Sequence, residues 1–336
     1  MQTPWKKLFT TSLLCGALTT PALSAANTTE RQDVKSFIDK LATKHDFDPA
    51  ELNKLFGQIE IQPEIIDAMN RPYEAKPWHE YRPIFVTESR ISEGAQFLQA
   101  NWDVLKRAEE KYGVPVEIIT AILGVETRYG RYRGKYRVAD SLATLGFDYP
   151  RRSKFFLKEL EEFLLLSREE QFDPLAIVGS YAGAMGKPQF ISSSYRMYAV
   201  DFDGDGIRDL LENTEDAIGS VGNYLARHGW QRSQPIATKV SATQSKPDEM
   251  GRLKKPKTEI KQWRNKGFEP ADAIADTLPA ELIVLQNKQT QEYWLGLQNF
   301  YAITRYNHSS LYAMAVYQLS QAIKEQHKQL SQANSN

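Results

Sequence analysis

A single glutamate closes an almost wholly apolar run, Ile118-Ile119-Thr120-Ala121-Ile122-Leu123-Gly124-Val125-Glu126. Apolar surroundings disfavour the charged form of a carboxyl group and raise its pKa. A carboxyl that keeps its proton near neutral pH can hand it to a leaving group. Glu126 is therefore the candidate general acid. The competing reading is a helix-end glutamate that pairs with Arg128, Arg131 or Arg133. The flanking residues lean towards chemistry. Tyr129, Tyr132, Arg131 and Arg133 follow at once, and such a mixture suits a cleft wall, with rings that lie against sugar faces and donors for hydroxyls and carboxylates.

A second segment, Gly179-Ser180-Tyr181-Ala182-Gly183-Ala184-Met185-Gly186-Lys187-Pro188-Gln189-Phe190, sets glycines among small residues. Backbone there is expected to pack close to something, whether a ligand or a neighbouring helix. It is not a phosphate loop. Tyr181 stands where a Walker motif needs glycine, and Pro188 stands where Ser or Thr must follow the lysine. Nor is it a nucleophile elbow, since Ser180 is one place early. Nothing here signals an organic cofactor.

The third segment is acidic. Asp201-Phe202-Asp203-Gly204-Asp205-Gly206-Ile207-Arg208-Asp209-Leu210-Leu211-Glu212 follows the calcium-loop spacing of an EF-hand. Asp201, Asp203, Asp205, the Ile207 carbonyl, Asp209 and Glu212 would be the ligands, with Asp216 as a rival for the closing position. Hard oxygen donors at this spacing point to Ca2+ in a structural role. A solvated acidic turn is the alternative, and Arg208 is out of pattern where an apolar residue is usual. The ion would pin a following helix, 215–228, and so hold Tyr224. The five histidines are scattered, and His79-Glu80 lacks a second histidine four places on, so no zinc site is expected.

The elements that must position these residues are mostly helical. Apolar residues recur at helical spacing over 33–45, from 49 with Asp48 as cap, over 92–112, over 154–167 and over 309–324. Gly113-Val114-Pro115 breaks the chain before the Glu126 run, whose helix is apolar on nearly every side and should be buried all round. Residues 235–240 read as a strand, and 281–286 with 292–297 as a hairpin. The lysines at 254, 255, 257 and 261 read as a solvated face. The expected class is mainly α (α+β). The expected divisions are a signal peptide 1–26, an N-terminal helical region 27–112, a core 113–233, a small β-containing subdomain 234–298, a helical return 299–325 and a flexible tail 326–336.

Lys6, Lys7, an apolar stretch over 8–18 and Ala22-Leu23-Ser24-Ala25-Ala26 have the order of an export signal. Cys15, the one cysteine, lies inside it; Leu14 is bulky where lipidation calls for a small residue, which argues against an anchor. The mature chain then has no disulfides, and its stability must come from a core. With 42 basic and 42 acidic residues, bulk charge gives no case for nucleic acid. No later run is long enough for a transmembrane segment. The expected compartment is the periplasm.

Gly124-Val125-Glu126-Thr127-Arg128, Tyr149-Pro150-Arg151-Arg152, the 179–186 segment with Gln189-Phe190, and Arg305-Tyr306-Asn307-His308 stand in that order. Together they resemble the membrane-bound lytic murein transglycosylase B family, which has a lysozyme-like catalytic core, over about 33–325. The resemblance implies that Glu126 is the sole catalytic acid and base. It implies substrate-binding roles for Ser180, Gln189, Arg151, Arg152, Tyr306 and Asn307, for Tyr81 in Trp78-His79-Glu80-Tyr81-Arg82, and for Tyr224. Ile191 and Ser192 depart from the family's usual Met-Pro after Gln-Phe.

The implied reaction cleaves the β-1,4 bond between N-acetylmuramic acid and N-acetylglucosamine and leaves a 1,6-anhydro end. A retaining glycosidase adds a second carboxylate; Asp140 and Asp148 are candidates for it only by proximity in sequence. Without one, the substrate's own N-acetyl group would capture the anomeric carbon, with Ser180 orienting the acetamide. The implied partner is the peptidoglycan glycan strand, with proteins of cell-wall synthesis or hydrolysis as further candidates. A hydrolytic muramidase and a non-catalytic, calcium-dependent wall-binding protein are the alternatives.

Overall fold

The structure is a computed structural model that describes residues 28–70, 76–242 and 254–333. The export signal and Cys15 lie outside the described residues. The chain divides into two compact units, Met1–Gln58 and Ile59–Asn336. In the first, a 3-10 turn at Thr28–Glu30 precedes α1 (Gln32–His45) and α2 (Pro49–Phe56). The Asp48 carboxylate accepts the Ala50 N–H at 2.8 Å and Pro49 occupies the first turn, which is why α2 starts there. Val34, Phe37, Ile38 and Leu41 are the buried stripe of α1, as their spacing predicts.

The second unit begins with α3 (Pro63–Met69), α4 (Trp78–Phe85), α5 (Glu88–Ala100), α6 (Trp102–Tyr112) and α7 (Val116–Thr127). Of these, α3 to α6 were expected to belong with residues 27–58 and α7 with the core 113–233. The boundary between compact units falls at Gln58 and not near residue 112. Residues 92–112 also differ from the single helix predicted. Asn101 breaks it: its backbone N–H and its side-chain amide both donate to the Phe97 carbonyl, at 3.0 and 2.8 Å. The side chain offers the backbone a local bond in place of helix continuation. Trp102, just past the break, is 41% exposed and stacks on His327.

After α7 come β1 (Tyr136–Arg137), α8 (Val138–Asp148), α9 (Ser153–Glu169), β2 (Val178–Gly179), α10 (Ser192–Tyr198) and α11 (Thr214–Arg227). The short β1–β2 pair sets Tyr136 opposite Gly179. Gly134 enters this pairing at φ +104°, and a Cβ there would stand 1.9 Å from the Gly179 carbonyl oxygen. Only glycine fits so close an approach. Segment 179–190 is thereby fixed at its start.

Next come β3 (Ala237–Ala242), β4 (Thr258–Glu259), α12 (Ile260–Asn265), β5 (Phe268–Pro270), β6 (Pro279–Gln286) and β7 (Gln291–Gly296). They form an antiparallel sheet in the order β4-β6-β7-β3-β5, in which β6 and β7 pair from Glu281↔Gly296 to Gln286↔Gln291. Val240, Ile260, Phe268, Ala280, Leu295 and Leu297 make its core. The chain ends in α13 (Gln298–Tyr306) and α14 (Ser310–Ala333). The residues expected to be a flexible tail continue α14 as helix as far as Ala333.

Helix α7 is the centre of this unit, in contact with α5, α6, α11 and α14. Every residue of α7 is buried except Glu126. An apolar helix enclosed on all sides gains from burial along its whole length. The position left part-exposed carries the carboxylate.

Candidate active site

The last turn of α7 is held from several sides. Arg128 and Tyr129 take left-handed φ values of 51° and 61°, costly for residues with a Cβ. The Arg128 guanidinium grips Glu93 with two bonds of 2.7 Å. The Tyr129 hydroxyl donates to the Arg90 carbonyl at 2.7 Å, and its ring lies over Gly124, where a Cβ would stand 2.7 Å from the ring. The Thr127 hydroxyl donates to the Lys187 carbonyl at 2.7 Å and accepts the Gly130 N–H at 2.9 Å. Arg128 thus answers the helix-end reading: it is taken up by Glu93, and Glu126 keeps no cation from the segment that follows.

Glu126 Oε1 accepts a 2.6 Å hydrogen bond from the Tyr312 hydroxyl on α14. Burial pushes the carboxyl pKa up to about 7, and the Tyr312 bond pulls it part of the way back. The group therefore sits near even protonation at neutral pH, as an acid that must later act as a base requires. Among the described residues no second carboxylate bears on its charge. Asp140 is fully buried, and its oxygens accept from Arg137 Nε at 2.7 Å, Gln62 Nε2 at 3.0 Å and the Glu60 N–H at 3.1 Å. It fastens segment 60–62 to α8 and is not among the groups that shift Glu126. Asp148 is the last residue of α8.

Aromatic rings extend from this pair. Tyr306 stacks on Tyr312 with centroids 6.4 Å apart and planes at 10°, and its hydroxyl donates to the Pro188 carbonyl at 2.6 Å. Tyr224 on α11 is 4.8 Å from Tyr306, and its hydroxyl donates to the Arg305 carbonyl at 2.5 Å. Phe190 touches both rings. Tyr81 is buried between Trp78 and Phe85. Burial holds the Tyr312 phenol well above the ordinary tyrosine range, with charge effects from Glu126, Tyr306 and Tyr81 adding to it. Tyr312 is a permanent donor to Glu126.

Segment 179–190 supplies two further groups. Ser180 Oγ accepts the N–H groups of Ala182 and Ala184, at 3.3 and 3.0 Å, so its own proton is directed elsewhere. Gln189, at φ +52°, donates through Nε2 to the carbonyls of Gly186 and Arg133. Asn307 caps α13, its carbonyl accepting the Ser309 N–H at 2.7 Å. Arg151 and Arg152 are exposed, and Arg152 lies over Phe155 and Phe156. Among the described residues neither arginine touches Glu126 or its ring neighbours.

Tyr312 was not singled out in the sequence. The structure buries Tyr312 and leaves Leu311 part-exposed. A hydroxylated ring in the apolar first turns of the helix, six residues after Tyr306, was the available signal. Thr127 was passed over because its partner is a backbone carbonyl 60 residues away.

The acidic loop brings Asp201, Asp203 and Asp205 together, with one oxygen of each within 4.8 Å of the others. Asp201 receives the N–H groups of Gly204, Asp205 and Gly206, and these bonds curl the loop. Three hard donors so gathered fit a divalent cation such as calcium. The carboxylates of Asp209, Glu212 and Asp216 are engaged elsewhere. Glu212 pairs with Arg133, and Asp209 accepts the N–H groups of Leu211 and Glu212. Asp216 is fully buried, and its two oxygens each accept a 2.7 Å bond, from Phe202 N–H and Asp209 N–H. It ties the two ends of the loop through backbone. Asp203 also accepts from Asn213, the residue whose side chain caps α11, and α11 carries Tyr224.

Residues 29–321 match the Transglycosylase SLT domain family. The chain is 44% identical over 301 residues to membrane-bound lytic murein transglycosylase B of Escherichia coli strain K12, covering 87% of this chain and 82% of that one. The structure of the E. coli lytic transglycosylase Slt35 in complex with calcium is similar at a TM-score of 0.82 and 43% identity, over 88% of this chain and 94% of that one. SltB3 of Pseudomonas aeruginosa in complex with NAG-anhNAM-pentapeptide is similar at a TM-score of 0.76 and 29% identity, over 87% of this chain and 79% of that one.

Proposed function

The chain belongs to the SLT family of lytic transglycosylases and acts on peptidoglycan, and we propose that it does so with Glu126 as its sole acid and base. The observation that carries this reading is a carboxyl at the one part-exposed position of a buried helix, its pKa raised by burial, with a tyrosine donor and, among the described residues, no second carboxylate acting on it.

In the first step the Glu126 proton passes to the glycosidic oxygen between N-acetylmuramic acid and N-acetylglucosamine. As the C1–O bond breaks, the acetamide oxygen of the muramyl sugar bonds to C1 and forms an oxazolinium ion. Substrate assistance takes the place of the second carboxylate of a retaining glycosidase. The Ser180 proton, directed away from Ala182 and Ala184, orients that acetamide. In the second step ionised Glu126, steadied by Tyr312, removes the proton from the 6-hydroxyl. O6 then displaces the acetamide oxygen from C1 and closes a 1,6-anhydro ring. Glu126 ends protonated, and no water is consumed.

Part-exposed Tyr306 offers ring surface to the sugars, with buried Tyr224 packed against it and Tyr81 buried near Tyr312, and Gln189 and Asn307 offer amide groups. Arg151 and Arg152 suit the carboxylates of more distant parts of the substrate. Asp201, Asp203 and Asp205 hold calcium in a structural role, as the calcium complex of the E. coli relative suggests. The site of action is the periplasm, reached by an export signal over residues 1–26. In keeping with this, no helix among the described residues is long and apolar enough to cross a membrane.

Mass analysis of muropeptides released from sacculi tests the reaction type. Anhydro-muramyl ends are expected. Reducing ends in their place would make the enzyme a hydrolase.

A further inference from the structure

Lys187 lies in the same segment as Ser180 and Gln189, and its side chain is half-buried. Its ammonium donates to the Glu212 carbonyl at 2.5 Å and to Thr214 Oγ1 at 2.7 Å. Its backbone N–H donates to the Leu210 carbonyl at 2.8 Å. Its methylene stem lies against Gly130, where an added Cβ would stand 3.2 Å from Lys187 Cγ. Its own carbonyl accepts the Thr127 hydroxyl, one residue past Glu126. One residue thus joins three places: segment 210–214, segment 179–190 and the end of α7. The acceptors of its ammonium are a carbonyl and a hydroxyl, both neutral. Partial burial of a cation against neutral acceptors returns less than an ion pair does. What the arrangement does supply is a fixed position for the Lys187 carbonyl.

We propose that Lys187 is a positioning residue for the reaction, its anchored ammonium fixing the carbonyl that, through Thr127, sets where α7 presents the Glu126 carboxyl. The inference rests on Glu126 being the acid. Proton transfer is steep in distance, and misplacing a reacting group by about 1 Å costs on the order of 100-fold in rate. Lys187 makes no substrate contact of its own in this account, and Tyr224 and Tyr306 keep their bonds to the Arg305 and Pro188 carbonyls, so binding should change less than turnover.

The test uses Lys187→Met, which keeps the stem and removes the donor, and Thr127→Val, which cuts the far end of the link. Each is measured for kcat, KM and the pH dependence of kcat on soluble uncrosslinked glycan strands, beside Glu126→Gln. Each variant is expected to lose about tenfold or more in kcat with KM within about twofold of wild type. The alkaline limb should move to lower pH as water reaches the carboxyl. The double variant should be no worse than the poorer single one, because both cut one link. Wild-type kcat and pH profile in Lys187→Met, whatever its melting temperature, would overturn the proposal, as would losses that multiply in the double variant. Should Lys187→Met not fold, Thr127→Val decides by the same readings. If Glu126→Gln turns over normally, the function itself is misread. If it is inactive while the other two behave as wild type, only the role of Lys187 fails.

Discussion

Tyr312 and Glu126 come from helices 186 residues apart in the chain and share one 2.6 Å hydrogen bond, with the phenol as donor. The bond opposes the effect of burial on the carboxyl. It favours the ionised form that the ring-closing step needs, while burial favours the protonated form that bond cleavage needs. One side chain can serve both steps because burial outweighs the bond only far enough to bring the pKa near neutral pH.

Removing the phenol shifts that balance. Tyr312→Phe keeps the ring stack with Tyr306 and deletes the donor. The Glu126 pKa should rise further, so the alkaline limb of kcat should move to higher pH. The optimum rate should drop roughly tenfold, as loss of a bond to a charged group implies. A pH–rate profile checks this; a limb that stays in place would detach Tyr312 from the acid.

Stability should depend on pH through the same carboxyl. The Glu126 pKa is about 7 in the folded chain against an ordinary value of 4.5. Between these values the folded state holds a proton that the unfolded chain releases. The contribution of Glu126 to stability is therefore greatest at low pH and is lost as pH rises through the folded value. Above it the ionised carboxylate costs up to roughly 3 kcal/mol. Glu126→Gln escapes that cost, so its melting temperature should gain on wild type as pH goes from about 4.5 to about 7.5. A constant difference across that range would contradict the assignment.

Gly186 should tolerate no side chain. It sits at φ +73°, and a Cβ would stand 2.5 Å from the Leu210 carbonyl oxygen. Backbone on both sides of the clash cannot swing away. Gly186→Ala should cost roughly 2 kcal/mol or more in urea denaturation. A cost below about 0.5 kcal/mol would mean that segment 179–190 is looser than its contacts indicate.

Calcium should raise the melting temperature, and a chelator should reverse the rise. Asp203→Ala removes one of the three clustered carboxylates and the acceptor of Asn213. It should abolish the calcium response and lower the melting temperature even without the ion. A wild-type protein indifferent to calcium would remove the ion from the account.

The sequence carried the strongest local signals well. Glu126 was legible because one carboxylate in a nine-residue run that is apolar but for Thr120 is a composition anomaly, and the hairpin at 281–297 because two β-rich runs flank a short polar loop. The break at Asn101 was not, since it depends on a side-chain bond that competes with the helix inside an unbroken apolar stripe. Tyr312, Thr127 and Lys187 act through partners 60 or more residues away or through backbone atoms, and neither leaves a periodicity to read. Asp216 was named as an ion ligand, but its buried oxygens serve backbone N–H groups, a choice that spacing alone cannot make.

The most direct test of the central claim is release of soluble muropeptides from purified sacculi by wild type and by Glu126→Gln at matched concentration and neutral pH. A sole acid and base predicts a loss of at least about 100-fold, with the variant still folded and still bound to sacculi. Anhydro-muramyl products formed by the variant at the wild-type rate would show that some other group moves the proton.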